Sequence, residues 1–199
     1  MKLLWVVIFT VVLVWSGINP KDYFTWALEV SPALIGALLM AITYKRFPLT
    51  PLLYGLILLH SIILMVGGHY TYAEVPLFDL FKEWFGSGRN NYDKVGHFMQ
   101  GFVPAVLARE ILIRKAVLAK PAWLNLFVIS VCLAFSAFYE LLEWVVAEMT
   151  GESAEAFLGT QGYVWDTQTD MAFALAGCIC ALVFLSHIHN RQLMALYRQ

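Results

Sequence analysis

The stretch WLNLFVISVCLAFSAFYELLEWVV, Trp123 to Val146, is 24 residues long and carries no Asp, Glu, Lys or Arg before Glu140. A run of that length and apolarity matches the roughly 20 residues an α-helix needs to cross the hydrocarbon core of a bilayer. It is read as a membrane span. Five similar runs accompany it: Leu3 to Ile18, Trp26 to Tyr44, Leu49 to Gly67, Gly96 to Ile113 and Met171 to Ser186. Polar helical turns extend the last two, giving expected spans of about 3–18, 26–44, 49–67, 93–113, 123–146 and 166–186. At about 20 residues per crossing these take roughly 120 residues. Short connections remain, with two longer ones, Tyr70 to Tyr92 and Ala147 to Trp165. The expected fold is all-α: a single integral membrane domain over residues 1–199, a bundle of six transmembrane helices. The segment Pro76 to Phe85, with Leu77, Phe78, Leu80, Phe81, Trp84 and Phe85, reads as a short amphipathic helix on the outer membrane surface.

Composition agrees. The chain of 199 residues is 60% hydrophobic and 14% charged, with a mean hydropathy of +0.69. An ordinary soluble domain is roughly 45–50% apolar and about 25% charged, so a cytosolic enzyme, a secreted disulfide scaffold and a disordered tail are excluded together. A net charge of -1 gives no footing for a nucleic-acid partner; the bilayer is the expected partner. Cys132, Cys178 and Cys180 lie in apolar spans without Cys-x-x-Cys spacing and are expected to be buried thiols. The first run lacks an Ala-x-Ala-like cleavage pattern at Trp15-Ser16-Gly17-Ile18 and is kept as a span.

Six spans put both termini on one side, and Lys/Arg asymmetry selects the side. With the termini in the cytoplasm, nine basic residues lie inside: Lys2, Lys45, Arg46, Arg109, Arg114, Lys115, Lys120, Arg191 and Arg198. Four lie outside: Lys21, Lys82, Arg89 and Lys94. The bias favours cytoplasmic termini.

Ionisable residues within a membrane are costly, about 2.5–3.5 kcal/mol each at a helix centre on insertion scales, so each needs a partner, a water-filled cavity or a task. In the fourth span Asp93, His97 and Gln100 share one face, at i, i+4 and i+7, with Lys94 beside them. Ser136, Glu140 and Glu143 repeat that spacing in the fifth span, next to Tyr139; Asp166 and Asp170 lie one turn apart at the start of the sixth. His69 and Tyr72 follow the third span, and Glu29 lies near the outer start of the second. All are expected at one depth, in the outer leaflet. The glycine- and amide-rich connection from Ala156 to Trp165, including Gln161, is expected to fold back over them. Asp93 and Asp166 also suit first-turn positions, where carboxylates complement the helix dipole. Glu140 and Glu143 do not, which leaves either a functional pocket or a structural knot neutralised by Lys94 and a charged His97. Arg109, Glu110, Arg114 and Lys115 read as a solvated, lipid-contacting helix end, and His187 and His189 as an exposed tail.

Nearly the full chain resembles the YjdF family of bacterial inner-membrane proteins. The resemblance rests on VGGHYTYAEVP (Val66 to Pro76), NNYDKVGHFMQGFVPA (Asn90 to Ala105), REILIR (Arg109 to Arg114), SAFYELLEW (Ser136 to Trp144) and AFLGTQGYVWDTQTDM (Ala156 to Met171). One departure is Tyr163, where the family pattern has an acidic residue. More loosely, Asp93-Lys94-x-x-His97, Glu140 with Glu143, and Asp170 followed by Gly177 is similar to the VanZ-like membrane proteins linked to glycopeptide-antibiotic resistance. That pattern differs at Glu143 and Ala174 and in the spacing of Asp166 to Asp170. The resemblance implies an inner-membrane location and an outward polar site, and supplies no reaction.

Three functions fit these residues. An enzyme acting on a membrane lipid or envelope precursor would use His97, Glu140, Glu143, Asp166 and Asp170 as catalytic groups, with carboxylate and imidazole as base and acid. His69, Tyr72, Asp93, Lys94, Gln100, Tyr139 and Gln161 would line the pocket. His97, Glu140, Glu143 and Asp170, with His69 as a further candidate, could instead hold a divalent cation, oxygen-rich ligation favouring magnesium, calcium or manganese. The second function is a small proton-linked transporter, and the third a noncatalytic lipid-binding or interaction protein. No His-Glu-x-x-His, Gly-x-Ser-x-Gly or phosphate-cradling glycine motif is present.

Overall fold

The computed structural model describes residues 2–85, 90–150 and 164–197. Among these all regular secondary structure is helical, with seven α-helices: α1 (Lys2–Ser16), α2 (Tyr23–Thr43), α3 (Pro51–Tyr70), α4 (Pro76–Phe85), α5 (Tyr92–Arg114), α6 (Leu124–Thr150) and α7 (Asp166–Tyr197). A 3-10 turn at Pro121–Trp123 leads into α6. Four of them, α2, α3, α6 and α7, are long and apolar enough to cross a membrane. The remaining two of the six expected spans fall short for different reasons. Helix α1 has 15 residues, about 22 Å at 1.5 Å per residue against a hydrocarbon core of about 30 Å. Helix α5 has 23 residues, but Asp93, Lys94, His97, Gln100, Arg109, Glu110 and Arg114 lower its hydropathy.

The pattern of burial is that of a bundle in lipid. Leu34, Ile35, Leu38, Leu39 and Ile42 of α2, Phe135, Phe138 and Leu141 of α6, and Val183 and Phe184 of α7 are exposed, whereas Glu29, His97, Gln100, Arg109, Glu110, Glu140, Asp170 and His189 are buried. Apolar side chains face outward where the solvent is hydrocarbon, and polar ones turn inward to find partners.

Cross-helix contacts fix directions. Trp5 donates to the Tyr54 carbonyl near the start of α3, while the Lys21 N–H just beyond α1 donates to the His69 carbonyl near its end, so α1 and α3 run the same way. Helices α5 and α7 also run parallel, with Asp170 near His97 and His189 near Arg109, and they form the most extensive contact of the fold. Their closeness depends on two glycines. A Cβ on Gly101 would run into the Ala174 carbonyl, and one on Gly177 into the Phe98 carbonyl; small residues let helix backbones approach in this way. Helix α6 packs on both α5 and α7, α3 packs on α5, and α1 and α2 attach to α3. The central apolar cluster includes Leu53 of α3, Val103 and Val106 of α5, Val128 and Cys132 of α6, and Cys178 and Ala181 of α7. The three thiols are free; Cys132 and Cys178 are buried as expected, while Cys180 is only half-buried.

Helix α4 forms at the residues expected of the amphipathic segment, Pro76–Phe85. It is tied to the start of α5 by Asn90, whose amide donates to the Val75 carbonyl (3.0 Å) and to Asp79 (2.9 Å). Phe78 meets the Tyr92 ring edge-on at 5.1 Å, and the Tyr92 hydroxyl donates to the Ile63 carbonyl.

Helix α2 starts at a side-chain cap. Asp22 accepts from the Thr25 N–H at 2.6 Å, a bond that holds its carboxyl below the ordinary value. Asp22→Ala is expected to cost about 1 kcal/mol, read as a lower thermal midpoint in detergent. Because the folded value is lowered, this contribution is complete above the ordinary aspartate value of about 3.9 and fades as pH falls through the folded one.

Candidate functional site

His97 is the hub of a polar cluster at one end of the bundle. Helix α5 carries it 6% exposed, and Nε2 lies 3.3 Å from Asp93 Oδ1 one turn earlier and 4.0 Å from Asp170 Oδ2 of α7. On the other side of the ring, Nδ1 lies 3.1 Å from Gln100 Oε1 and 3.8 Å from Glu140 Oε1 of α6. Asp93, His97 and Asp170 each offer a ligand atom within 4.8 Å of the others.

Further carboxyl groups surround this centre. Glu29 enters from α2, buried, with its Cβ beside Gly68 and the Tyr72 hydroxyl in hydrogen-bonding reach. Glu143 interacts electrostatically with His97, Glu140, Glu29 and Asp93, and Tyr139 lies among the same groups. Asp166, buried at the first residue of α7, interacts electrostatically with Asp170 and Glu140, and Thr167 lies beside Glu140. Six carboxyl groups (Glu29, Asp93, Glu140, Glu143, Asp166 and Asp170) thus share one region with a single imidazole. Within it, Ser136 Oγ, Glu140 Oε1 and Asp170 Oδ1 are buried without a hydrogen-bond partner.

Tyr72 reaches the cluster through an unusual backbone. Thr71 and Tyr72 have φ of 62° and 52°, left-handed values uncommon for residues with a Cβ, and the Tyr72 N–H donates to the Gly67 carbonyl at 2.8 Å. The chain curls back over the end of α3, and the Tyr72 ring lies against Gly67 and Gly96, where side chains would collide with it.

Other expected pocket residues go elsewhere. His69 turns to α1: its Nδ1 lies 3.0 Å from the Ser16 carbonyl and its ring packs on Trp15 at 4.6 Å. The physical reason is that His69 and Tyr72 leave the end of α3 in different directions once the chain curls at Thr71. Lys94 lies over the Phe173 ring at 5.9 Å, in an open groove with Asn91, Val95, Phe98 and Phe173 between α5 and α7. Gln161, with the connection expected to fold over the pocket and the departure at Tyr163, lies outside the described residues.

A second polar centre occupies the opposite end of α5, where a solvated helix end was expected. Glu110 is fully buried. It accepts from Thr50 N–H (3.1 Å), Thr50 Oγ1 (2.8 Å), Arg114 Nη1 (2.8 Å) and His189 Nε2 (3.0 Å). Arg109 is buried too, with Nη1 2.9 Å from His189 Nδ1 and Nη2 2.6 Å from Asn190 Oδ1. A guanidinium only donates, so Nδ1 accepts and Nε2 carries the proton given to Glu110, which makes His189 a neutral bridge. The exposed tail expected at His189 is instead helix: α7 continues 11 residues past Ser186 to Tyr197. His187 is exposed. A readable signal was present, since His189 and Leu193 are four apart on one face and no proline interrupts α7.

A family model described as "Predicted membrane protein (DUF2238)" matches residues 1–191. The chain belongs to this family. It is 52% identical over 184 residues to the "Inner membrane protein YjdF" of Escherichia coli (strain K12), covering 92% of this chain and 88% of that protein. No solved structure matches at a significant level. Membership agrees with the apolar exterior and with the several helices able to cross a bilayer: this is a multi-pass membrane protein.

Proposed function

We propose that the His97 cluster is a chamber in the outer leaflet of the bacterial inner membrane that takes the polar headgroup of a membrane lipid or envelope precursor and acts on it. The observation that carries this reading is the meeting of Glu29, His97, Glu140 and Asp170, from four different helices, beside the open groove lined by Lys94, Phe98 and Phe173. An ammonium above aromatic side chains suits a lipid's anionic headgroup and the chain beneath it. His97 and a neighbouring carboxylate are placed to move a proton to or from a bound hydroxyl or phosphate ester. The orientation follows from the basic residues: the Glu110 end, with Arg109, Arg114 and Lys115, takes the cytoplasmic side with both termini. In this reading α1 and α5 join the four long apolar helices as the fifth and sixth spans. Helix α5 is shielded by its neighbours, and α1 is short enough to thin the bilayer locally.

The test is conversion of labelled envelope lipids by the purified protein in nanodiscs. Glu140→Gln, Glu143→Gln and His97→Ala are each expected to abolish conversion while membrane insertion and the elution profile stay unchanged. Full conversion by all three variants would remove the chamber from the chemistry. Saturable binding without conversion would make the protein a lipid binder, and flux into proteoliposomes a transporter.

A further inference from the structure

The donors around His97 are set as the ligands of an ion. Gln100 Oε1, 3.1 Å from Nδ1, is a carbonyl oxygen and can only accept, which places the proton of a neutral ring on Nδ1. The Nε2 lone pair then points at Asp93 Oδ1 (3.3 Å) and Asp170 Oδ2 (4.0 Å). Atoms so placed require positive charge between them, either a second ring proton on Nε2 shared with Asp93 or a bound cation. Two ligands of one divalent ion, each about 2.1 Å from it, are about 3–4 Å apart, which is the range of these separations. An independent observation points the same way: Asp170, 4% exposed, keeps Oδ1 buried with no hydrogen-bond partner. That oxygen is free to complete a bidentate carboxylate. Gln100 fills the outer role seen at metal sites, a carbonyl fixing the tautomer and tilt of a ligating imidazole.

We infer that Asp93, His97 and Asp170 bind one first-row divalent cation, with Gln100 as the positioning residue. One imidazole with a majority of carboxylate donors favours Mn2+, between the oxygen-seeking Mg2+ and the nitrogen- and sulfur-seeking Zn2+ and Cu2+. Water completes the coordination. The ion offsets part of the charge of the six neighbouring carboxyl groups. Placed in the chamber proposed above, it would meet a phosphate or carboxylate headgroup directly, and to that extent its role rests on that reading. Its binding does not, because it is measured without lipid.

The experiment titrates Mn2+ into chelator-treated full-length protein in detergent and follows the six-line electron paramagnetic resonance signal of the free ion. The expected result is one Mn2+ per chain, with nitrogen modulation from a directly bound imidazole in pulsed spectra. Asp93→Asn and Asp170→Asn should each weaken binding at least tenfold, Gln100→Ala about tenfold, and His97→Gln should remove the nitrogen modulation. Asp93 is half-buried in the first turn of α5, so its variant tests the site with the least demand on folding. Wild-type affinity no greater than that of an Asp93→Asn/Asp170→Asn double variant overturns the proposal, as does bound Mn2+ without nitrogen modulation. Either failure leaves the lipid reading to its own assay, which is run without added metal.

Discussion

Gly101→Leu is expected to prevent the chain from reaching its folded state. The added side chain must enter at the Ala174 carbonyl, where even a Cβ collides with backbone, and backbone cannot rotate aside as a flexible side chain can. Helices α5 and α7 would have to separate along their whole contact, opening the central cluster around Val103, Cys178 and Ala181. Overpacking in cores costs 1–3 kcal/mol and sometimes more; with rigid atoms on both sides a loss of about 3 kcal/mol or more is expected. Gly177→Leu, colliding with the Phe98 carbonyl, should behave alike. Gly36 and Gly55 serve as controls, because a Cβ there meets nothing within 4 Å, and leucine at either should shift stability by no more than about 0.5 kcal/mol. Fluorescence-detected size exclusion and thermal midpoints in detergent read all four. A Gly101→Leu protein as stable as Gly36→Leu would show that the close crossing is not needed.

Glu110→Ala is the second large effect. Removing this carboxylate leaves Arg114 without its anion, leaves two donors of Thr50 at the start of α3 without their acceptor, and leaves the His189 Nε2–H, which links Arg109 to the network, without an acceptor. Breaking a buried ion pair on one side costs about 3–5 kcal/mol, and the loss should appear as a lower midpoint of thermal or denaturant unfolding. A cycle with His189→Leu should show coupling of more than about 0.5 kcal/mol, as expected for groups in one network. A Glu110→Ala midpoint equal to that of the native chain would return these residues to the solvated helix end their sequence suggested. The contrast with the His97 end is informative: there the predicted losses are of conversion and of Mn2+ binding, here of folding.

The two ends also differed in how plainly the sequence announced them. Near His97 the spacing Asp93/His97/Gln100 and Ser136/Glu140/Glu143 lies within single helices, and acidic residues deep in apolar runs have no inexpensive explanation. Glu29 was placed near them only by its level in the second span. At the Glu110 end the partners are Thr50, Arg114 and His189, and the His189 contact joins residues 79 apart. Arginines and glutamates near a helix end have an ordinary reading in water or headgroups, so nothing local demanded a partner. The continuation of α7 through HIHNRQLMALY was signalled only weakly, by the His189/Leu193 spacing and the lack of proline, because its polar residues mimic a tail and the apolar stripe through Leu193 is thin. Helix α5 shows the limit of hydropathy itself. Its polar residues, which lower its apolarity as a span, are the ones that build both polar centres. His69 and Tyr72, grouped together in the sequence reading, part because the chain turns left-handed at Thr71 and at Tyr72 itself, which no propensity marked, since neither is the glycine such a turn favours.

The Gly101 crossing has a mechanical consequence. It lies four residues from His97 and nine from Glu110 on the same helix, or about 6 Å and about 13 Å along the axis. With side-chain clearance absent there, and absent again where Gly177 meets the Phe98 carbonyl, the spacing of α5 and α7 is set by backbone against backbone. The two polar centres are therefore carried at a fixed separation on one rigid seam.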